Sequence, residues 1–99
     1  MAGLYRKIIC ADGFSMSVQA GEHNYSHPRV NDARRYFSVE IGYPSEKETL
    51  IIDYAENPER PTETVYGWVP AAIISLICAK HGGIVSGDLP KGIPYLHAK

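Results

Sequence analysis

The side chains best suited to chemistry are concentrated in residues 21–35, GEHNYSHPRVNDARR, which hold His23, His27, Arg29, Arg34 and Arg35, with Tyr25 and Ser26 among them. Two histidines four residues apart face the same way on an α-helix, the spacing that zinc motifs use. Here Gly21 precedes them and Pro28 follows, so the segment does not read as a helix. A third ligand would have to be Glu22, Asp12 or a distant cysteine, and the chain has no CxxC or HExxH pattern. The expectation is no metal site and no cofactor. Ser26 beside His27 suggests nucleophilic catalysis, but adjacent side chains rarely face each other and no nucleophile elbow accompanies them. Glu40 and Asp53 are single carboxylates without an identifiable partner for acid–base work. A protein that binds is expected, not an enzyme; a small metal-dependent enzyme ranks third.

An anion site is the better use of these residues. Arg29, Arg34 and Arg35 fall within seven positions, His27 is close, and Tyr25 or Tyr36 offers a face on which a base can stack. Against this, no glycine-rich cradle is present, and Glu22 and Asp32 are available to neutralise the arginines in a loop held by Asn and Asp hydrogen bonds.

The elements that must position these residues follow from periodicity. A chain of 99 residues makes one domain with a small core. The run before Asp12-Gly13 and the alternation Phe14, Met16, Val18, Ala20 after it predict an N-terminal hairpin closed by a two-residue turn. Residues 36–43 alternate again, with Phe37, Val39, Ile41 and Tyr43 on one face, and Pro44 ends the run. Residues 62–69 place Tyr66 and Trp68 on the same face of a fourth strand. Ser45 and Glu48 have capping-box spacing, so one helical turn or a short strand is expected near Leu50–Ile52.

Pro70 opens and Gly82-Gly83 closes a helix over 70–81, with Lys80 and His81 suited to the dipole of its last turn. Ile73, Leu76 and Ile77 form one apolar stripe, and Ile74 with Cys78 a second. The helix should therefore be covered twice, by the sheet and by either the tail over 84–99 or a second copy, which would make a homodimer through residues 70–81. The fold class expected is α+β: an antiparallel sheet of about four strands on one C-terminal helix. Cys10 and Cys78 sit in apolar runs and should be reduced. No apolar run approaches the roughly 18 residues of a membrane span, and no secretory leader is apparent, so a cytoplasmic protein is expected.

Charge is divided along the chain. Residues 1–35 carry five basic side chains against three acidic, whereas residues 36–69 carry seven acidic against two basic. An acidic surface repels nucleic acid and suits a basic protein groove. The expected partner surface is Glu46, Glu48, Asp53, Glu56, Glu59 and Glu63, with Tyr54, Tyr66 and Trp68 as aromatic anchors.

The stretches ICADGFSMSVQAGEHNYSHPR, YFSVEIGYPSEKETLIIDYAENPERPTETVYGWVP and KHGG resemble small uncharacterised proteins encoded in bacteriophage and prophage genomes. In that group the position of Ser26 can be a cysteine within a Tyr-Cys-x-Pro-Arg stretch. The resemblance implies an accessory protein acting in the cytoplasm of an infected bacterium, by stoichiometric binding to a host defence protein or complex of the CRISPR–Cas kind. Together with the charge division, it leads to the expectation of an inhibitor that occludes a basic nucleic-acid-binding surface without contacting nucleic acid or membrane. The alternative is a sponge that sequesters a nucleotide signal through residues 21–36.

Overall fold

The computed structural model describes residues 4–99. It is an α+β fold with five antiparallel strands, β1 (Ile8–Cys10), β2 (Ser15–Gln19), β3 (Ser38–Gly42), β4 (Val65–Pro70) and β5 (Ile84–Ser86), and one α-helix, α1 (Ala71–Lys80). The strand order is β4-β3-β2-β1-β5. No helix among the described residues is long and apolar enough to cross a membrane.

The hairpin forms as its alternation requires, with Ile8 opposite Met16 and Ile9 opposite Ser15. Its turn is one residue longer than expected. Cys10 and Phe14 pair across it, Gly13 at φ 93° supplies the left-handed residue, and Asp12 Oδ1 accepts a hydrogen bond from the Phe14 N–H at 2.9 Å. The inward row of Ile8, Cys10, Met16, Val18, Val39 and Ile41 is fully buried and forms most of the sheet's core face.

Two departures from strict alternation shape the surface around β3 and β4. Between these strands the register runs from Val39 opposite Val69 to Ile41 opposite Tyr66, so Gly67 and Trp68 together face Glu40. This is a β-bulge, and Trp68 adopts φ 51° within it. Tyr66 and Val69 turn into the core, whereas Trp68 is 52% exposed, so the two aromatics do not share a face. Before β3, Tyr36 is drawn inward, with its hydroxyl donating to Val30 O at 2.6 Å and its N–H to Lys91 O at 2.8 Å. Phe37 is left outside.

Helix α1 begins after Pro70, which is both the last residue of β4 and the N-cap, and ends at His81. Gly82 and Gly83, at φ 88° and 92°, let the chain turn back, and the Gly83 N–H reaches Cys78 O. The buried face is Ile74, Ile77 and Cys78, a single stripe. Of the other expected stripe, Leu76 stays exposed and Ile73 is half-buried against the core. The segment 84–99 instead forms the fifth strand beside β1 and folds back so that Ile84 bridges His97 in parallel. Leu89 and Ile93 enter the core. The capping box at Ser45 does not form; Ser45 Oγ accepts the Ser15 N–H, and the helical turn of this region is a 3-10 segment, Ile52–Tyr54.

Candidate functional site

Residues 21–35 form a loop folded onto the β3–β4 end of the sheet. Asn31 Oδ1 accepts the Glu22 N–H, and the buried Ser26 hydroxyl bonds to Gly21 and to Pro28 O. Glu40 faces the loop and accepts from Asn24 Nδ2 and the Tyr25 N–H, at 3.2 and 3.1 Å. Tyr25 O then accepts the Trp68 N–H at 2.9 Å, and His27 exchanges backbone hydrogen bonds with Phe37 and Ser38. These bonds hold residues 25 and 27 on either side of a buried Ser26.

Two aromatic–cation groups result. The Tyr25 ring stacks on Trp68 at 4.8 Å between centroids, and the Arg29 guanidinium lies 5.2 Å from the Tyr25 centroid. Arg35 lies 5.2 Å from the centroid of Phe37, against which His27 is tilted at 6.2 Å. Gly67 leaves room for the first group, because a Cβ there would come within 3.2 Å of the Tyr25 Cβ, closer than ordinary contact. Among the described residues, Arg29, Arg34 and Arg35 pair with no carboxylate, and Glu22 pairs with His23 instead.

Of the residues expected to take an anion, the structure thus places Tyr25, His27, Arg29 and Arg35 in these groups. Arg34 is exposed beside them, and Tyr36 is removed, since it is 1% exposed and belongs to the core. The exposed rings beside these arginines are Phe37 and Trp68. Phe37 reads as a core residue by alternation and Trp68 as a partner of Tyr66; the bulge that turns Trp68 outward has only Gly67 as its signal in the sequence, and the inward pull on Tyr36 that exposes Phe37 has none. His23 is exposed, and among the described residues no three His, Cys, Asp or Glu side chains are arranged to hold an ion.

The acidic set divides. Glu46, Asp53, Glu56, Glu59 and Glu63 are exposed, with Glu63 bound to Arg60 at 2.8 Å, and Tyr54 is half-buried. Glu48 is not a surface residue: its side chain is 1% exposed. Tyr66 is likewise unavailable as an anchor, being fully buried with its hydroxyl on Pro61 O.

Glu48 is instead one end of a charged node. His81 Nε2 lies 2.7 Å from Glu48 Oε1, and His81 Nδ1 lies 2.6 Å from Asp12 Oδ2. Glu48 Oε2 accepts from Lys80 Nζ at 3.0 Å and from the Leu50 N–H at 2.9 Å. The His81 ring stacks on Phe14 at 4.0 Å. Carboxylates only accept, so a histidine bonded to one at each nitrogen is an imidazolium. Burial alone would lower the His81 pKa, but the hydrogen bonds and charges of Glu48 and Asp12 outweigh it and raise the pKa above the ordinary 6.5. Burial pushes Glu48 up, and the bonds from Leu50, His81 and Lys80 overcome that and hold it below its usual range. Asp12 is lowered by the Phe14 N–H first and His81 second. Two cations balance two anions, with both imidazole nitrogens engaged.

Comparison of the chain with protein-family models, curated proteins and solved structures finds no match.

Proposed function

We propose that the protein is a stoichiometric binder of a phosphate-bearing aromatic ligand, held on the face formed by Tyr25, Arg29, Arg35, Phe37 and Trp68. The observation that carries this reading is the set of three arginines left without a carboxylate among the described residues, two of them lying over aromatic rings. A guanidinium drawn to a ring by its charge keeps N–H donors at its edge for phosphate oxygens. Trp68 and Phe37, both more than half exposed, offer ring faces for a base. With the resemblance to phage accessory proteins, the role is sequestration of a nucleotide signal in an infected bacterial cell. Isothermal titration with a panel of nucleotides at low salt tests it: saturable binding is expected, lost in the Arg29→Ala, Arg35→Ala double variant, and no saturable binding to any of them refutes the reading.

The exposure of Glu46, Asp53, Glu56, Glu59 and Glu63 favours a second reading, in which these acids dock on the basic groove of a host defence complex. Loop 56–63 enters β4 at its Val65 end, whereas Trp68 stands near the other end, so the two surfaces are separable by mutation. Simultaneous charge reversal at Glu56, Glu59 and Glu63 should abolish inhibition of the defence complex; full inhibition by that variant would rule the docking out.

A further inference from the structure

We infer that the ligand carries two bases joined through a phosphodiester and that the two aromatic–arginine groups are its two base sites. This rests on the proposed ligand-binding face and goes further, from one aromatic ligand to a two-base one.

The arrangement of ring and arginine occurs twice on this face. Each group is an exposed ring with an aromatic and an arginine neighbour: Trp68 stacks on Tyr25, which lies under Arg29, and Phe37 has Arg35 over its ring and His27 tilted against it. One nucleotide would occupy one ring and leave the second exposed to water. The two groups are also fixed relative to each other. Ser38 pairs with Pro70, and the Ala71 N–H donates to Phe37 O at 3.0 Å, so Phe37 sits in register with Ala71. Trp68 faces Glu40 across the bulge, and Glu40 is three positions after Phe37 on the run into β3, a separation of about 10 Å at the usual strand rise. That is too far for two bases stacked on each other and suits two splayed bases with a charged linker between them. Arg34, exposed and without a carboxylate partner among the described residues, adjoins Arg35, where the linker phosphate would need a cation.

A cyclic dinucleotide and a linear dinucleotide share this chemistry, and the experiment separates them. The full-length protein is titrated at one low salt concentration with mononucleotide, 5′-phosphorylated linear dinucleotide and cyclic dinucleotide, in adenine and guanine series. Heat and the fluorescence of Trp68, the single tryptophan, are followed together. At least one two-base ligand should bind with 1:1 stoichiometry and at least about tenfold more tightly than its mononucleotide, the gain expected from one added base stack. Phe37→Ala and Trp68→Ala should each remove that gain, so that the two-base ligand binds either variant no more tightly than the mononucleotide binds the parent; a variant that keeps the full gain would overturn the two-site inference. Whether the cyclic or the linear form gains identifies the source. If mononucleotides bind and neither two-base form gains, the two-site inference fails and the ligand-binding face stands. If nothing binds, both fail.

Discussion

Nε2 of His81 lies 2.7 Å from Oε1 of Glu48, and each of these side chains is at least nine-tenths withdrawn from water. Asp12 completes the contact from the hairpin turn, so one imidazolium ties together the β1–β2 turn, the loop after Pro44 and the end of α1. The stability it contributes depends on pH in a direction fixed by the shifts. His81 is raised, so its contribution is full below the ordinary 6.5 and is lost as pH rises through the folded-state value. Glu48 is lowered, so its contribution is full above the ordinary 4.5 and is lost as pH falls through the folded-state value. Thermal melts between pH 3.5 and 8 should give the highest Tm between about 4.5 and 6.5. In His81→Gln the decline from pH 6.5 to 8 should disappear; an unchanged alkaline limb would show that His81 does not titrate as argued.

Removing Glu48 leaves His81 and Lys80 without their shared carboxylate and the Leu50 N–H without an acceptor. Breaking a buried pair from one side typically costs about 3 kcal/mol or more. Glu48→Ala should lose that much in urea denaturation at pH 6, whereas Glu59→Ala, on an exposed loop, should stay within about 0.5 kcal/mol of the parent. Equal effects of the two would mean that the node adds nothing to stability.

The hairpin, β3, β4 and α1 are legible in the sequence because most of their residues follow one period, which β4 breaks only at its bulge, and are bounded by Gly13, Pro44, Pro70 and Gly82. What is not legible is set by long-range contact. Glu48 stands between Lys47 and Thr49 like any solvated acid, and only its meeting with His81, 33 positions away, takes it inside. His81 itself reads as a helix-end cation, which it also is. Tyr36 and Phe37 exchange their expected sides because the chain reaches β3 from a loop tied to Lys91, not from a preceding strand residue. The tail over 84–99 reads as a cover for the helix, yet three residues with one free sheet edge were enough to make β5. In the candidate site, the arginines and Tyr25 stand out by composition, whereas Trp68 becomes visible only through the geometry of a bulge and Phe37 only through the loop that draws Tyr36 inward.

The thiols should be inert in the folded protein. Both cysteines are buried, burial and the neighbouring Cys10 push the Cys78 pKa up to about 12, and burial followed by the charge of Asp12 raises that of Cys10. Thiolate is the reactive form. Ellman's reagent at pH 8 should therefore find no reactive thiol over minutes in the native state and two after denaturation in guanidinium chloride. Rapid native labelling at Cys78 would show that the helix face opens readily.

Trp68 offers a test in which the usual order of two substitutions inverts. In a strand, glycine is ordinarily worse than alanine by roughly 0.5–1 kcal/mol, because it loses more freedom on folding. At φ 51° the side chain strains the backbone by about 1 kcal/mol, and glycine is free of that strain. Trp68→Ala loses the stack on Tyr25, worth about 0.5–1.5 kcal/mol, and keeps the strain; Trp68→Gly loses the same stack and removes it. The glycine variant should be at least as stable as the alanine variant in urea unfolding, and within about 1 kcal/mol of the parent. A glycine variant clearly less stable than the alanine one would mean that the bulge at Gly67-Trp68 does not carry the left-handed turn, and with it the outward placement of the tryptophan ring.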